Sequence, residues 1–310
     1  MPKKETTGTP VVPPFWVARP TGLDQRKVTS SRKIVSMGWF PDLPDFRDRN
    51  IHHPEVEGKL QSCNSLITGG KNIPDKVDLS AVCSPIEDQG NLGSCTAQAV
   101  VGLMEYMMRK SGKGHVDGSR LFTYKVTRNL LGWIGDQGAY LRTAMQAVAN
   151  FGVVPEKYWP YDIGRFDEEP TAFHYSFADN YKALNYTRLD PKGMGLSNVL
   201  DLVKRTLAAE YCCVFGFTVY SSISGKADIP FPTTEDSVSG GHAVMAVGYD
   251  DNHKNEQGKI VPSIIIRNSW GTSWGDEGYG YLPYQYVLEG LAMDFWTSFK
   301  WDWIDSGQFG

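Results

Sequence analysis

The chain has 310 residues, 31 Lys and Arg against 35 Asp and Glu, and a net charge of −4. Hydrophobic residues at 41% and aromatics at 12% exclude a disordered or collagen-like chain and leave ample length for a sizeable core in one large domain or two lobes. The slightly acidic balance argues against a general nucleic-acid surface, and there is no 18-residue apolar run to span a membrane.

The first twenty residues contain Pro13-Pro14 and no apolar signal-like stretch. The expected location is therefore cytoplasmic, or outside the cell without a standard leader. Residues 1–33 are rich in Lys, Thr, Ser and Pro and are expected to be a mobile tail. Residues 37–48 differ: Met-Gly-Trp-Phe-Pro-Asp-Leu-Pro-Asp-Phe-Arg-Asp is aromatic, and its prolines keep it extended. Trp39, Phe40, Leu43 and Phe46 are too apolar to be left in water together. This segment is expected to pack on the chain's own folded domain, as a strap or as a short inhibitory segment near a cleft.

Residues 89–102, Gln-Gly-Asn-Leu-Gly-Ser-Cys-Thr-Ala-Gln-Ala-Val-Val-Gly, place a tight turn before a cysteine. Ala97, Val100, Val101, Met104 and Met108 follow at helical spacing, with Gly112 and Gly114 as a stop. Cys95 thus opens a helix of about four turns, where unpaired N–H groups and the helix dipole favour a thiolate. Gln89 lies across the turn and can aim an amide at the same point. A nucleophile with an amide donor suits acyl transfer, although a buried Cys in a helix is more often only packing. A second helix is expected over 139–150, with Leu141, Ala144, Met145 and Val148 on one face. Residues 158–161, Tyr-Trp-Pro-Tyr, read as a packed loop, and 162–192 as a long connection. A third helix is expected over 197–210, with Ser197 as a possible cap.

From Tyr211 onward the apolar runs are short, β-branched or aromatic, and punctuated by Gly, Pro and Asn. Strands are expected at 213–219, 243–249, 260–267 and 278–282. Helices first and strands later indicate an α+β fold rather than alternating units. His242 begins one apolar run and Asn268 ends another. Pairing of the two as a hairpin brings the imidazole to an amide that fixes its tautomer and leaves the other nitrogen for a thiol.

Gln89, Cys95, His242 and Asn268-Ser-Trp-Gly together resemble the papain-like cysteine peptidases. The tail from Asn268 to Gly280, with Trp270 and Trp274, is similar to that family almost residue for residue. Cys95 and His242 are 147 positions apart, a separation of the family's size. Residues 73–79 resemble the start of mature members, implying an N-terminal extension over 1–72, ordered across 37–70, and a peptidase domain over 73–310. The resemblance implies a two-lobe fold: a helical lobe carries the nucleophile, an antiparallel β-rich lobe carries His242 and Asn268, and the active-site cleft lies between.

It also implies a cysteine peptidase with catalytic Cys95, His242, Asn268 and Gln89, with Gln89 and the Cys95 N–H stabilising the oxyanion. Trp270 shields the Asn–His contact, and Trp274 stands on the leaving-group side. Gly138, Ala139, Tyr140, Leu141 and Ala243 fall where the family binds the extended substrate, with an apolar preference at the second residue before the cleaved bond. The chain departs from the family in three places. Leu92 stands where a disulfide cysteine is usual, Thr96 where an aromatic is usual, and Ala139 where a second glycine is usual. Of the five cysteines, Cys212 and Cys213 read as strand interior. A reduced protein is expected, with a Cys63–Cys83 bridge left open. His52, His53, His115, His174 and His253 match no motif and are expected to be exposed. No cofactor or metal is expected, and the partner is a peptide or protein substrate, with no nucleic acid and no membrane. The alternatives are an acyltransferase or transpeptidase on the same residues, and an inactive binding module.

Overall fold

The run marked by His242 belongs to a 13-residue strand, β4 (Val238–Asp250), around which the second half of the chain is assembled. The computed structural model describes residues 37–300 except 55, 58–66, 68–71, 113 and 183–184. Its seven-stranded sheet has the order β2 (Asn185–Arg188), β7 (Ala292–Lys300), β3 (Cys213–Tyr220), β4, β5 (Ser263–Arg267), β6 (Tyr279–Pro283), with β1 (Lys76–Asp78) also paired to β4. Every pairing is antiparallel, as expected of runs that hairpin through Gly- and Asn-rich turns. β4 is long because its two ends serve different partners. Its first half pairs with β3, with Phe217 opposite His242, and its second half pairs with β5 and β1.

The helical part is built on α1 (Cys95–Lys110), buried on nearly every side by β4, α2 (Arg120–Leu131) and α3 (Leu141–Phe151). A shorter helix, α4 (Ala172–Ala178), follows. On the other side of the sheet lie α5 (Leu196–Ala208), with Val199, Leu200, Val203 and Leu207 inward, and α6 (Gln285–Leu288). This is the α+β two-lobe arrangement the motifs imply. α1 and β5 approach closely at Gly102, where a β-carbon would collide with the Arg267 guanidinium. That buried cation donates to Ser84 Oγ at 3.1 Å and to the Pro85 carbonyl at 2.5 Å, which fastens the segment before Gln89.

Several elements differ from the sequence expectation, β1, β7 and α6 among them. α2 went unmarked because three of its inward positions, Arg120, Lys125 and Arg128, are charged. They are buried and paired with Glu87, Asp117, Asp167 and Glu169, and they interrupt the apolar period of the equally buried Leu121, Phe122, Tyr124 and Val126. The connection 162–192 holds α4 and β2. Ser197 lies inside α5, whose N-cap is Gly195. His53, His174 and His253 are half-buried rather than exposed: His174 packs edge-on to Trp159, and His253 is stacked on Tyr281 and bonded to Asp228. Cys83, Cys95, Cys212 and Cys213 are free thiols, and Cys63 lies outside the described residues, as does the tail 1–33. No helix among the described residues is long and apolar enough to cross a membrane.

Candidate active site

Cys95 is the first residue of α1 and is fully buried. Desolvation pushes its thiol up to about 11, against backbone N–H groups of Ala243, Gly38, Thr96 and Cys95 itself, which reach the sulfur and favour the thiolate. Ala243 directly follows His242, so strand β4 delivers the histidine to the nucleophile.

The β4–β5 pairing carries His242 to Asn268, just past the end of β5. His242 Nε2 lies 2.8 Å from Asn268 Oδ1. The same oxygen accepts the Ser269 backbone N–H at 2.8 Å, which assigns it as the amide carbonyl. Nε2 therefore carries the ring proton, and buried Nδ1, with no hydrogen-bond partner, is left as the basic nitrogen. Trp270 stacks on the imidazole at 4.5 Å and 27°, and Trp274 meets Trp270 edge-on at 5.3 Å. Burial lowers His242 to about 4, opposed by the Asn268 bond. In the covered site burial thus acts against charge on both the thiol and the imidazole. The helix terminus cannot offset complete removal from water.

Gln89 is held through both its backbone and its side chain. Its N–H donates to the Ser269 carbonyl at 2.8 Å, and its carbonyl accepts the Tyr161 hydroxyl at 3.0 Å. Its side-chain Oε1 accepts from Ser269 Oγ at 2.7 Å, and Nε2 donates to the Leu92 carbonyl at 2.9 Å. Ser269 and Tyr161 were not singled out by the motifs. Ser269 was visible only as the second letter of the Asn-Ser-Trp-Gly run, and Tyr161 only as packing.

The chain's own residues 37–40 pack over the site. The Trp39 N–H donates to the Gly241 carbonyl at 3.1 Å, the Ala139 N–H to the Gly38 carbonyl at 2.7 Å, and the Phe40 N–H to the Ala139 carbonyl at 3.2 Å. Trp39 and Ala139 form a parallel bridge. Gly38 fits because it and Gly138 lack β-carbons: one at Gly38 would strike the Gly93 backbone, and one at Gly138 would strike Gly38. Asp136 positions both walls, accepting the Gly93 N–H at 3.0 Å and the Tyr124 hydroxyl at 2.6 Å, while that hydroxyl accepts the Gly138 N–H at 3.0 Å. Leu141 and Ala243 share a buried cluster with Trp39, and Tyr140 flanks Phe40.

Beyond Trp39 the strap is tied down by charge. Asp48 takes two bonds of 2.7 Å from Arg142, and the Asp42 N–H donates to Asp294 Oδ2 at 2.7 Å. Asp42 Oδ2 accepts from the Arg142 N–H and from Trp296 Nε1, both at 3.2 Å, and Arg188 meets Asp294 at 2.5 Å and Asp190 at 3.1 Å. Among the described residues no group of three or more His, Cys, Asp or Glu is disposed to hold a metal ion.

A buried thiol at a helix start, an Asn-oriented imidazole from a β-lobe and a side-chain amide beside them define the papain-like class of cysteine hydrolases. Residues 73–292 match the papain family of cysteine proteases, and the chain belongs to that family. It is 35% identical over 275 residues to an uncharacterized peptidase C1-like protein of Acanthamoeba polyphaga mimivirus, covering 84% of this chain and 86% of that one. Among solved structures, xylellain, a cysteine protease from Xylella fastidiosa, is 34% identical with a TM-score of 0.69, covering 88% of this chain and 98% of that one. A ragweed pollen allergen cysteine protease in its proform shares the fold at 23% identity and a TM-score of 0.57, covering 76% and 68%.

Proposed function

We propose that this cysteine peptidase cleaves peptide bonds through Cys95, His242 and Asn268, acts as an endopeptidase, and is held closed by residues 37–50. The observation that carries the chemistry is the His242–Asn268 bond beneath Trp270, which leaves the imidazole's unprotonated Nδ1 beside the strand residue whose N–H reaches the Cys95 sulfur. Once the cleft opens, water and substrate replace the strap. Cys95 then gives its proton to His242 Nδ1 while sulfur attacks the peptide carbonyl carbon, forming a C–S bond and an oxyanion. The Cys95 N–H and the Gln89 amide stabilise that oxyanion. Collapse breaks the C–N bond as His242 protonates the departing amine, leaving a thioester. A water molecule, deprotonated by His242, hydrolyses the thioester and restores the thiol. Asn268 keeps the imidazole in the required tautomer throughout.

Endopeptidase action follows from the cleft's accommodation of an extended backbone through residues 38–40, with ladder bonds on both sides. The extension over 1–72 is best regarded as regulatory and the domain over 73–310 as catalytic. Products of a peptide library incubated with the chain, alone and with an added amine, test the assignment by mass spectrometry. Hydrolysis lost in Cys95→Ala supports it. Products carrying the added amine in place of hydrolysis would make the enzyme an acyltransferase, and activity retained in Cys95→Ala would overturn the mechanism.

A further inference from the structure

Resting on the peptidase assignment above, we propose that Asp136 is a positioning residue for the reaction. Its carboxylate couples the wall that binds the substrate backbone to the Gln89 amide that faces the oxyanion.

A series of hydrogen bonds runs through that carboxylate. The Gly138 N–H donates to the Tyr124 hydroxyl at 3.0 Å, and the hydroxyl donates to Asp136 Oδ1 at 2.6 Å. From the other side, the Gly93 N–H donates to both oxygens, at 3.0 and 3.1 Å. Gly93 shares its peptide unit with the Leu92 carbonyl, which accepts Gln89 Nε2 at 2.9 Å. The series therefore begins at the 138–139 ladder and ends at the side-chain amide that precedes the nucleophile.

The peptide unit is planar, so fixing the N–H of Leu92–Gly93 also fixes the direction of its carbonyl. That carbonyl takes one of the two hydrogens on Gln89 Nε2, and the bond sets where the other points. Ser269 Oγ holds the opposite end of the amide at Oε1. The amide is thus aimed from two sides, and Asp136 stands behind one of them. An ionised acceptor on the N–H also polarises the peptide, which makes the Leu92 carbonyl a better acceptor for Gln89.

The surroundings are shaped to admit this group. A β-carbon on Gly93 would lie 2.8 Å from Asp136 Oδ1. Gly93 has no positive φ, so the carboxylate requires glycine there and the backbone does not. Tyr124 is fully buried, and the Arg128 guanidinium lies over its ring at 4.4 Å, which leaves the hydroxyl one place to stand. Asp136 itself lies on an exposed rim. Water therefore weakens each bond it accepts, and losing one should cost about 5- to 10-fold, less than for a buried charged acceptor.

The test uses full-length chains carrying Trp39→Ala, which lack the indole that fastens the cover, and a short fluorogenic peptide. Tyr124→Phe removes the oxygen that accepts the Gly138 N–H, and should raise KM about 5- to 10-fold with kcat within about twofold. Asp136→Ala should raise KM as well and lower kcat about 5- to 10-fold. Asp136→Asn keeps one oxygen for both donors and should recover most of that loss. In a Gln89→Ala chain, Asp136→Ala should lower kcat no further, because the amide it aims is gone. A readout independent of turnover is the Gln89 side-chain amide resonance of the nitrogen-15-labelled chain. It should move in Asp136→Ala and return toward the parent position in Asp136→Asn. Equal kcat losses with and without Gln89, an unchanged KM in Tyr124→Phe, or an unmoved Gln89 resonance would overturn the proposal. A moved resonance without any cleavage by the Cys95-intact chain would sustain the coupling while removing the peptidase assignment.

Discussion

Trp39→Ala is the sharpest probe of closure. The indole is almost wholly buried, and a tryptophan buries roughly 200 Å². At about 25 cal/mol per Å² that contributes about 5 kcal/mol to docking. The unpartnered Nε1 takes back about 1–3 kcal/mol, leaving a net of about 2–4 kcal/mol. Because residues 37–40 lie in the cleft, the loss should appear mainly as an open cleft and only secondarily as global unfolding. An equilibrium shift of that size is about 30- to 1,000-fold, so turnover of a short fluorogenic peptide by the full-length variant should rise by up to that factor, saturating once most molecules are open. Iodoacetamide should alkylate Cys95 correspondingly faster, and faster than any of the other cysteines. Unchanged turnover with a lowered melting temperature would refute the reasoning and reduce the strap to a structural fastening.

Other outcomes follow from the same geometry. Asn268→Ala should lower kcat far more than it changes KM, because it removes orientation of His242 and no substrate contact; a change confined to KM would count against that role. Gln89→Ala should reduce kcat by about 10²- to 10³-fold, the cost of one oxyanion donor, with binding of a peptide to the Cys95→Ala chain as the control. Ser269→Ala, which only frees the Gln89 side chain, should cost about 5- to 10-fold in kcat, matching a hydrogen bond of about 1 kcal/mol. For pH, the strap junction buries the carboxylates Asp42, Asp48, Asp190 and Asp294 around two guanidinium groups, Arg142 and Arg188. Burial and the facing Asp294 push Asp42 up to about 7 when docked, with Arg142 and Arg188 opposing, and Asp294 is raised as well. Released into water, Asp42 returns to an ordinary carboxylate value. The docked state therefore holds the extra proton between about pH 4 and 7: docking is strongest below that window and is lost as pH rises through it. The turnover of the full-length chain relative to Trp39→Ala, which cancels the chemistry's own titration, should rise toward neutrality. A ratio that rises on acidification would refute this.

The nucleophile helix, the hairpin that joins His242 to Asn268, and the helices near 141–151 and 196–208 were all legible in the sequence, because apolar spacing and glycine turns report them directly. α2 was hidden because buried, ion-paired Lys125 and Arg128 break the apolar period of its inward face. β7 was hidden because Asp294, at φ +58, interrupts its alternation at a register shift. At the site, Cys95, His242, Asn268 and Gln89 were readable as types of chemistry. Their burial was not, since it depends on a segment more than fifty residues upstream packing over them. Gly216 was within an expected strand, yet its meaning emerges only with Trp39 above it, whose indole a β-carbon there would strike.

Gly38 offers the nucleophile an amide hydrogen, while its carbonyl is turned away to the Ala139 N–H. The Gln89 amide is likewise bonded to the Leu92 carbonyl, so the Gly38 carbonyl does not occupy the oxyanion position. Residues 37–48 are fastened by hydrogen bonds, ion pairs and packing, with no covalent link to the groove among the described residues. A fastening of that kind is released and remade without any change in covalent structure, so closure by it costs the chain none of its sequence.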